Sequence, residues 1–233
     1  MAKKANAMGK SSRREESLSR EQIIQAAIAL LDENGEEGLT FRALSERLAT
    51  GPGALYWHVA NKNDLITAAC DDLIGKTMRE TSLTGTPQEN IRVLGLAMFD
   101  AMDAHPWLGS ALMHAPQQSP MLHLVERIGH QLCTMGVAKA KHWVAASTLL
   151  NYIFGVGGRN AANGQYARAN GRDRADFLET ISTAWSQLDP NEYPFVRSLA
   201  ARLRSHDDRK DFAAGMGLIL QGISSTESLE TNA

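Results

Sequence analysis

From residue 88 onward, apolar side chains recur every three or four positions, and no stretch alternates residue by residue. Ile91, Leu94, Met98 and Met102 make one such series, Leu122, Val125, Ile128 and Leu132 a second, and Trp143, Ser147, Leu150 and Phe154 a third. A period near 3.6 is that of an α-helix buried on one face, whereas a half-buried strand needs a period of two. Pro106, Pro116, Pro120, Pro190 and Pro194 fall between these series or at their starts, where the missing N–H costs little. This part of the chain is therefore predicted to be all-helical. At 233 residues the chain has room for two domains packed together.

Ahead of it lie shorter helices with legible ends. Ser19 and Gln22 have capping-box spacing, and Ile24, Ala27, Ile28 and Leu31 follow on one face of a helix that ends near Asn34-Gly35. Thr40 is placed to cap a two-turn helix, Phe41 to Leu48, with Phe41, Leu44 and Leu48 on one side. Ala49-Thr50-Gly51 breaks it, and Pro52 opens a third helix that is expected to reach about His58. Asn61 caps a fourth, in which Ile66, Ala69, Cys70, Leu73, Ile74 and Thr77 keep the period towards Arg79. The Ser, Thr, Gly and Pro of Thr81 to Pro87 read as a hinge. The expected organisation is a basic disordered arm (1–18), a three-helix helix-turn-helix domain (19–66) linked by a fourth helix to a larger helical body, and that body itself (67–233).

Composition excludes several classes. Apolar runs are broken well before the roughly 18 residues a membrane span needs, and no apolar stretch follows the basic N-terminus, so a cytoplasmic location is expected. Cys70 and Cys133 form no CxxC pair, so neither a disulfide framework nor a zinc site is expected, and both read as buried thiols. No GxSxG, HExxH, P-loop or dinucleotide-binding glycine pattern is present, which argues against an enzyme and against a cofactor. The histidines lack metal-ligand spacing, and no metal is expected. Overall the charge is −2, but residues 1–20 hold Lys3, Lys4, Lys10, Arg13, Arg14 and Arg20 against only Glu15 and Glu16. That local excess of cations suits minor-groove or phosphate contacts, and a solvated tail would carry it equally well.

Two short helices joined by a tight turn, with a third element behind them, set one helix into a DNA major groove. In Pro52-Gly53-Ala54-Leu55-Tyr56-Trp57-His58-Val59, the spacing gives Leu55 and Val59 to the core and leaves Tyr56, Trp57 and His58 to face outward. Exposed aromatics on so small an element are costly without a partner. Double-stranded DNA supplies one: hydroxyl and imidazole groups bond phosphates, and apolar surface meets thymine methyls. Gly53 and Ala54 allow close approach, Arg42 reaches a guanine edge or a phosphate, and Thr40 and Lys62 suit phosphates.

Residues 19–66 resemble the N-terminal domain of the tetracycline repressor (TetR) family. The resemblance rests on Gly38-Leu39-Thr40, then Arg42 and Leu44, then Leu55-Tyr56-Trp57-His58-Val59, Asn61 and Lys62. It implies that Thr40, Tyr56, His58 and Lys62 touch phosphates and that Arg42, Gly53, Ala54 and Trp57 lie at or near base edges. Ala49 stands where the family often has a turn glycine, and Gly51 where a serine-like cap is usual.

Residues 88–224 resemble the family's C-terminal domain more loosely, through His105-Pro106-Trp107 and the Phe212 to Leu220 ending. The resemblance implies a homodimer held by a four-helix bundle. The stripe Phe212, Met216, Ile219, Leu220 and Ile223, with Phe154, is the expected interface, although an ordinary core helix would carry the same stripe. Met98, Met102, His105, Trp107, Met113, Trp143, Asn151 and Tyr152 are candidates to line an apolar pocket for a small-molecule inducer. Residues 155–174 read as a helix end followed by a loop. The expected function is a ligand-responsive transcriptional regulator, by resemblance a repressor, on a near-palindromic operator. A regulator without an inducer and a helical protein-interaction module are the alternatives.

Overall fold

Gln22 N–H donates to Ser19 Oγ at 3.1 Å while Ser19 N–H donates to Gln22 Oε1 at 2.9 Å, so the reciprocal cap read from the sequence starts helix α1 (Arg20–Gly38). Gly35 interrupts that helix with φ +65°, a left-handed conformation that glycine adopts without cost, and one further turn carries the chain to Gly38. In the computed structural model, which describes residues 18–114, 120–171 and 173–230, every regular element is a helix. The basic arm and Pro116 lie outside the described residues.

Thr40 caps α2 (Phe41–Arg47), Asn61 caps α4 (Lys62–Glu80), and Thr86 with Glu89 builds a second capping box at the head of α5 (Pro87–Ala104). Between α2 and α4, α3 (Pro52–Leu55) is shorter than expected. Tyr56, Trp57 and His58 form a turn that continues it, closed by His58 N–H to Leu55 O and Val59 N–H to Leu55 O. A helix this short has little hydrogen bonding of its own and is held by tertiary contacts. The body continues with α6 (Trp107–His114), α7 (Pro120–Thr134), a 3-10 turn at Lys139–Lys141, α8 (His142–Ala169), α9 (Arg174–Ser186), α10 (Pro194–Leu203) and α11 (Asp208–Glu230).

Three expectations are corrected by packing. Residues 155–169 are not a loop but the second half of α8. Its glycines face neighbours: a Cβ at Gly157 would lie 2.2 Å from Met102 Cε, and one at Gly109 on α6 would lie 3.0 Å from the Gly158 Cα. Close approach of α5 and α6 thus outweighs the poor helix propensity of glycine. On α7 and α8 the inward faces are Leu124, Ile128 and Leu132, and Ala145, Leu149 and Ile153, whereas Leu122 and Trp143 are exposed. Only one of the two cysteines is buried; Cys133 is exposed, while burial pushes the Cys70 thiol up to about 12 and keeps it protonated.

One apolar core runs from Ile23, Leu31, Leu44 and Leu55 through Leu65 and Ile74 of α4 to Ile91, Leu94, Leu149, Ile153, Phe212 and Met216. Helix α4 packs on α1 behind it and on α5, α6 and α7 in front. No described helix is long and apolar enough to cross a membrane.

Tyr152 shows how tightly α8 and α11 close. Its hydroxyl donates to Phe212 O at 3.0 Å, and a Cβ at Gly215 would collide with the Tyr152 hydroxyl oxygen and lie 2.7 Å from its ring. Gly215→Ala gains up to about 1 kcal/mol of helix propensity but pushes on a rigid ring, so a net loss of about 1–2 kcal/mol is expected in urea denaturation. An unchanged midpoint would show that the α8–α11 contact yields freely.

Candidate nucleic-acid interface

Thr40 Oγ1 accepts from Ala43 N–H at 3.1 Å, which fixes the start of α2 and leaves the hydroxyl hydrogen available to an outside acceptor. From that start Leu44 is driven inward, Phe41 packs half-buried, and Arg42 points to solvent. Ser45, buried, returns its hydroxyl to Phe41 O. The turn then passes through Ala49 at φ +49°, the left-handed region, with Thr50 N–H on Ser45 O.

Leu55 and Val59 are buried and pin the next element to this base. What they leave outside is Tyr56, 60% exposed, and Trp57, 89% exposed. The two rings differ in freedom. Tyr56 stacks on Phe41 with centroids 4.6 Å apart and planes 7° apart, so α2 holds it in place. Trp57 has no ring partner among the described residues. Gly53 is exposed, and a Cβ built there would meet nothing within 4 Å. A rigid tip with a small leading edge and two presented rings is the result.

The cations are less free than the sequence suggests. Arg42 Nε pairs with Glu46 along its own helix at 2.9 Å, which raises its pKa through that hydrogen bond. The pair is solvent-exposed and so worth little, and a phosphate or guanine can replace the glutamate. Lys62 is half-buried and donates to the Glu36 carbonyl at the end of α1, so it staples α1 to α4. An ammonium has three N–H donors, so this bond leaves two for the expected phosphate contact. His58 is half-buried, and its carbonyl accepts from Arg20 Nε at 3.4 Å. Arg20 thereby brings a cation from α1 to the same edge, a neighbour that the local motif did not reveal.

Behind the tip, carboxylates of α1 tie the reader to the body. Asp32, on α1, accepts from Trp107 Nε1 at 2.7 Å, and its two oxygens lie 2.8 and 3.1 Å from His105 Nδ1. One turn on, Ser110 Oγ meets Glu36 Oε1 at 3.3 Å. His105 and Trp107 were expected in a ligand pocket; they instead fasten the α5–α6 corner to α1. The other pocket candidates are not brought together either. Met98 and Met102 are fully buried in the core, Tyr152 is committed to Phe212, Asn151 is exposed, and Met113 and Trp143 are 71% and 79% exposed.

The expected dimer stripe is corrected in the same way. Phe154, Phe212, Met216 and Leu220 are buried within the chain, packed between α5, α8 and α11, so they are core. The outward face of these helices carries Trp143, Val144 and Leu218, the last 73% exposed. Ile219 and Ile223 lie at its edge, lining with Gly222 a shallow apolar groove of about 460 Å³. Periodicity finds an apolar face but cannot tell a core face from an adjoining one on a helix that has both.

Residues 23–69 match the bacterial regulatory proteins, tetR family, and residues 82–226 match the tetracyclin repressor-like C-terminal domain. The chain belongs to the tetracycline-repressor family. It is a transcriptional regulator with a helix-turn-helix DNA-binding domain. The transcriptional regulator SCO7222, a TetR from Streptomyces coelicolor, is 46% identical with a TM-score of 0.79, covering 89% of this chain and 98% of that one. ActR from the same organism, in complex with actinorhodin, has a TM-score of 0.74 at 21% identity, over 89% of this chain and 96% of that one, and shows the shared fold. A regulator of Saccharopolyspora erythraea is 28% identical over 147 residues, which are 63% of this chain but only 62% of that protein's length.

Ala49 takes the backbone conformation for which the family often uses glycine. A left-handed alanine costs about 1–2 kcal/mol, partly offset because glycine loses more freedom on folding. Ala49→Gly is expected to stabilise the chain by about 0.5–1 kcal/mol in urea unfolding followed by far-ultraviolet circular dichroism. A destabilised variant would mean that the alanine methyl makes a compensating contact.

Proposed function

We propose that this chain is a ligand-responsive repressor that binds a near-palindromic operator as a homodimer and is released by a small molecule. The observation that carries this reading is the solvent-facing Tyr56-Trp57 tip, fixed from behind by Leu55, Val59 and Phe41 and flanked by Arg42. Its roles follow from chemistry. Thr40, Tyr56 and His58 supply phosphate contacts; Arg42, Gly53, Ala54 and Trp57 approach base edges; Arg20 adds charge near the backbone.

A two-fold reader needs half-sites about 34 Å apart, and so two copies of the chain. The face bearing Val144 and Leu218, with Ile219 and Ile223 at its edge, is our candidate for the contact, because it is apolar, exposed and set on the two longest helices. Release requires that a ligand in the body and an operator on the reader oppose each other through a shared element. Helix α4 is one connection; the Asp32 carboxylate, which takes donors from both His105 and Trp107, is a second. Work on chromosomal DNA places the protein in the cytoplasm, and no catalysis enters this reading.

Selection of fragments from genomic DNA tests the reader, its symmetry and the dimer together. A recovered motif with two inverted half-sites is expected, with affinity falling steeply as salt rises. Trp57→Ala should weaken the selected site by at least tenfold, or about 1.4 kcal/mol, with helical content unchanged; equal affinity of the two proteins would sink the assignment of the tip.

Asp32→Asn keeps the size of the side chain but removes one acceptor pair for His105 and Trp107. A cost of about 1–3 kcal/mol is expected, with faster amide exchange concentrated in α1 and α6. Exchange spread evenly over the chain would deny Asp32 a coupling role.

A further inference from the structure

The residues first expected around a ligand enclose no common space, yet the body does hold a cavity of about 750 Å³, bounded by the ends of α5 and α8, the starts of α9 and α11, and the segment that joins α10 to α11. That is the range of sites for drug-sized molecules. Its apolar wall comes from Phe99 and Leu178, both buried, and from half-buried Phe177.

The charges around this wall are largely spent on one another. Arg209 grips both oxygens of Asp100 at 2.8 and 2.9 Å, joining α11 to α5. Arg174 pairs with Asp208, joining α9 to the start of α11. Arg204, also on the wall, pairs with Glu179 at 2.8 Å, and Asp207 with Lys210 at 3.0 Å. Asp173 is used as the N-cap of α9. His206 lies between Asp208 and Asp211, at 2.8 Å from each.

Asp103 is the exception. Among the described residues no cation pairs with it, and its one hydrogen bond is from Asn160 Nδ2 at 3.0 Å. A carboxylate offers about four acceptor positions, so most of the capacity of this exposed side chain on the cavity lining is unused. Among the described residues, each arginine on the lining already has a carboxylate partner, so an anionic guest would compete with that carboxylate. A cationic one needs only Asp103 and the aromatic wall, whose ring faces also attract positive charge.

We infer that this cavity is the ligand site and that it takes a planar aromatic cation, its amine or amidine on Asp103 and its rings against Phe99 and Phe177. The inference rests on reading the body as a small-molecule sensor, and it adds to that reading the place and the charge of the ligand.

The test is equilibrium fluorescence titration of the full chain, free of DNA, with two probes of similar size: proflavine, a cationic acridine, and 1-anilinonaphthalene-8-sulfonate, an anion. Saturable binding of one proflavine per chain is expected, at least tenfold tighter than the sulfonate. Asp103→Asn should weaken proflavine tenfold or more, and Asn163→Trp, which fills the cavity from an exposed position on α8, should abolish it. Glu126→Gln, an exposed carboxylate on α7, should leave binding unchanged. Tighter binding of the sulfonate, failure of both probes to saturate, or an Asp103→Asn protein that binds proflavine as before would each overturn the inference. If the chain still retains its selected DNA fragments in those cases, the regulator reading stands and only this site falls; loss of DNA retention as well would strike the regulator reading itself.

Discussion

Burial of helix α4 on two sides is the constraint from which the rest of the molecule follows. Leu65, Ala68, Ala69, Cys70, Leu73, Ile74 and Met78 are all buried, some against α1 of the reader and others against the body. Removing that much apolar surface from water is the largest favourable contribution available to a chain of this kind. Because the two contacts share one rigid helix, the reader cannot tilt without disturbing packing in the body. An effect at one end of the molecule thus has a mechanical route to the other.

Apolar burial fixes distance but tolerates sliding, and the polar contacts limit it. Asp32 receives donors from two residues of the α5–α6 corner, and Lys62 closes on the Glu36 carbonyl, so the end of α1 has a defined partner on each side. Directional hydrogen bonds of this kind are individually modest but costly to leave unmade. Close glycine contacts between α6 and α8, at Gly109 and Gly158, bring the helices near enough for small shifts to be felt.

The reader was legible because its signals are local. Caps at Ser19, Thr40 and Asn61 lie within three residues of the N–H groups they serve, and Leu55 and Val59 are one helical turn apart, so the outward direction of Tyr56 and Trp57 follows from spacing alone. The body was less legible. Helices α8 and α11 are apolar on more than one side, and the sequence stripe through Phe154, Phe212 and Met216 proved to be core, with Val144 and Leu218 on a separate, exposed face. His105 and Trp107 were recognised as a motif, but their partner sits more than seventy residues earlier in the chain.

By itself, then, the sequence determined the helical class, the ends of the early helices and the composition of the exposed tip, since these depend on contacts within about one turn of chain. Tertiary structure alone decided which apolar face is core, that Lys62 is a staple, that Asp32 joins the two halves, and that Asp103 lines a cavity with no cation paired to it among the described residues. Each of those facts is a meeting of side chains from distant segments, and periodicity along one helix carries no information about the neighbour that its face will meet.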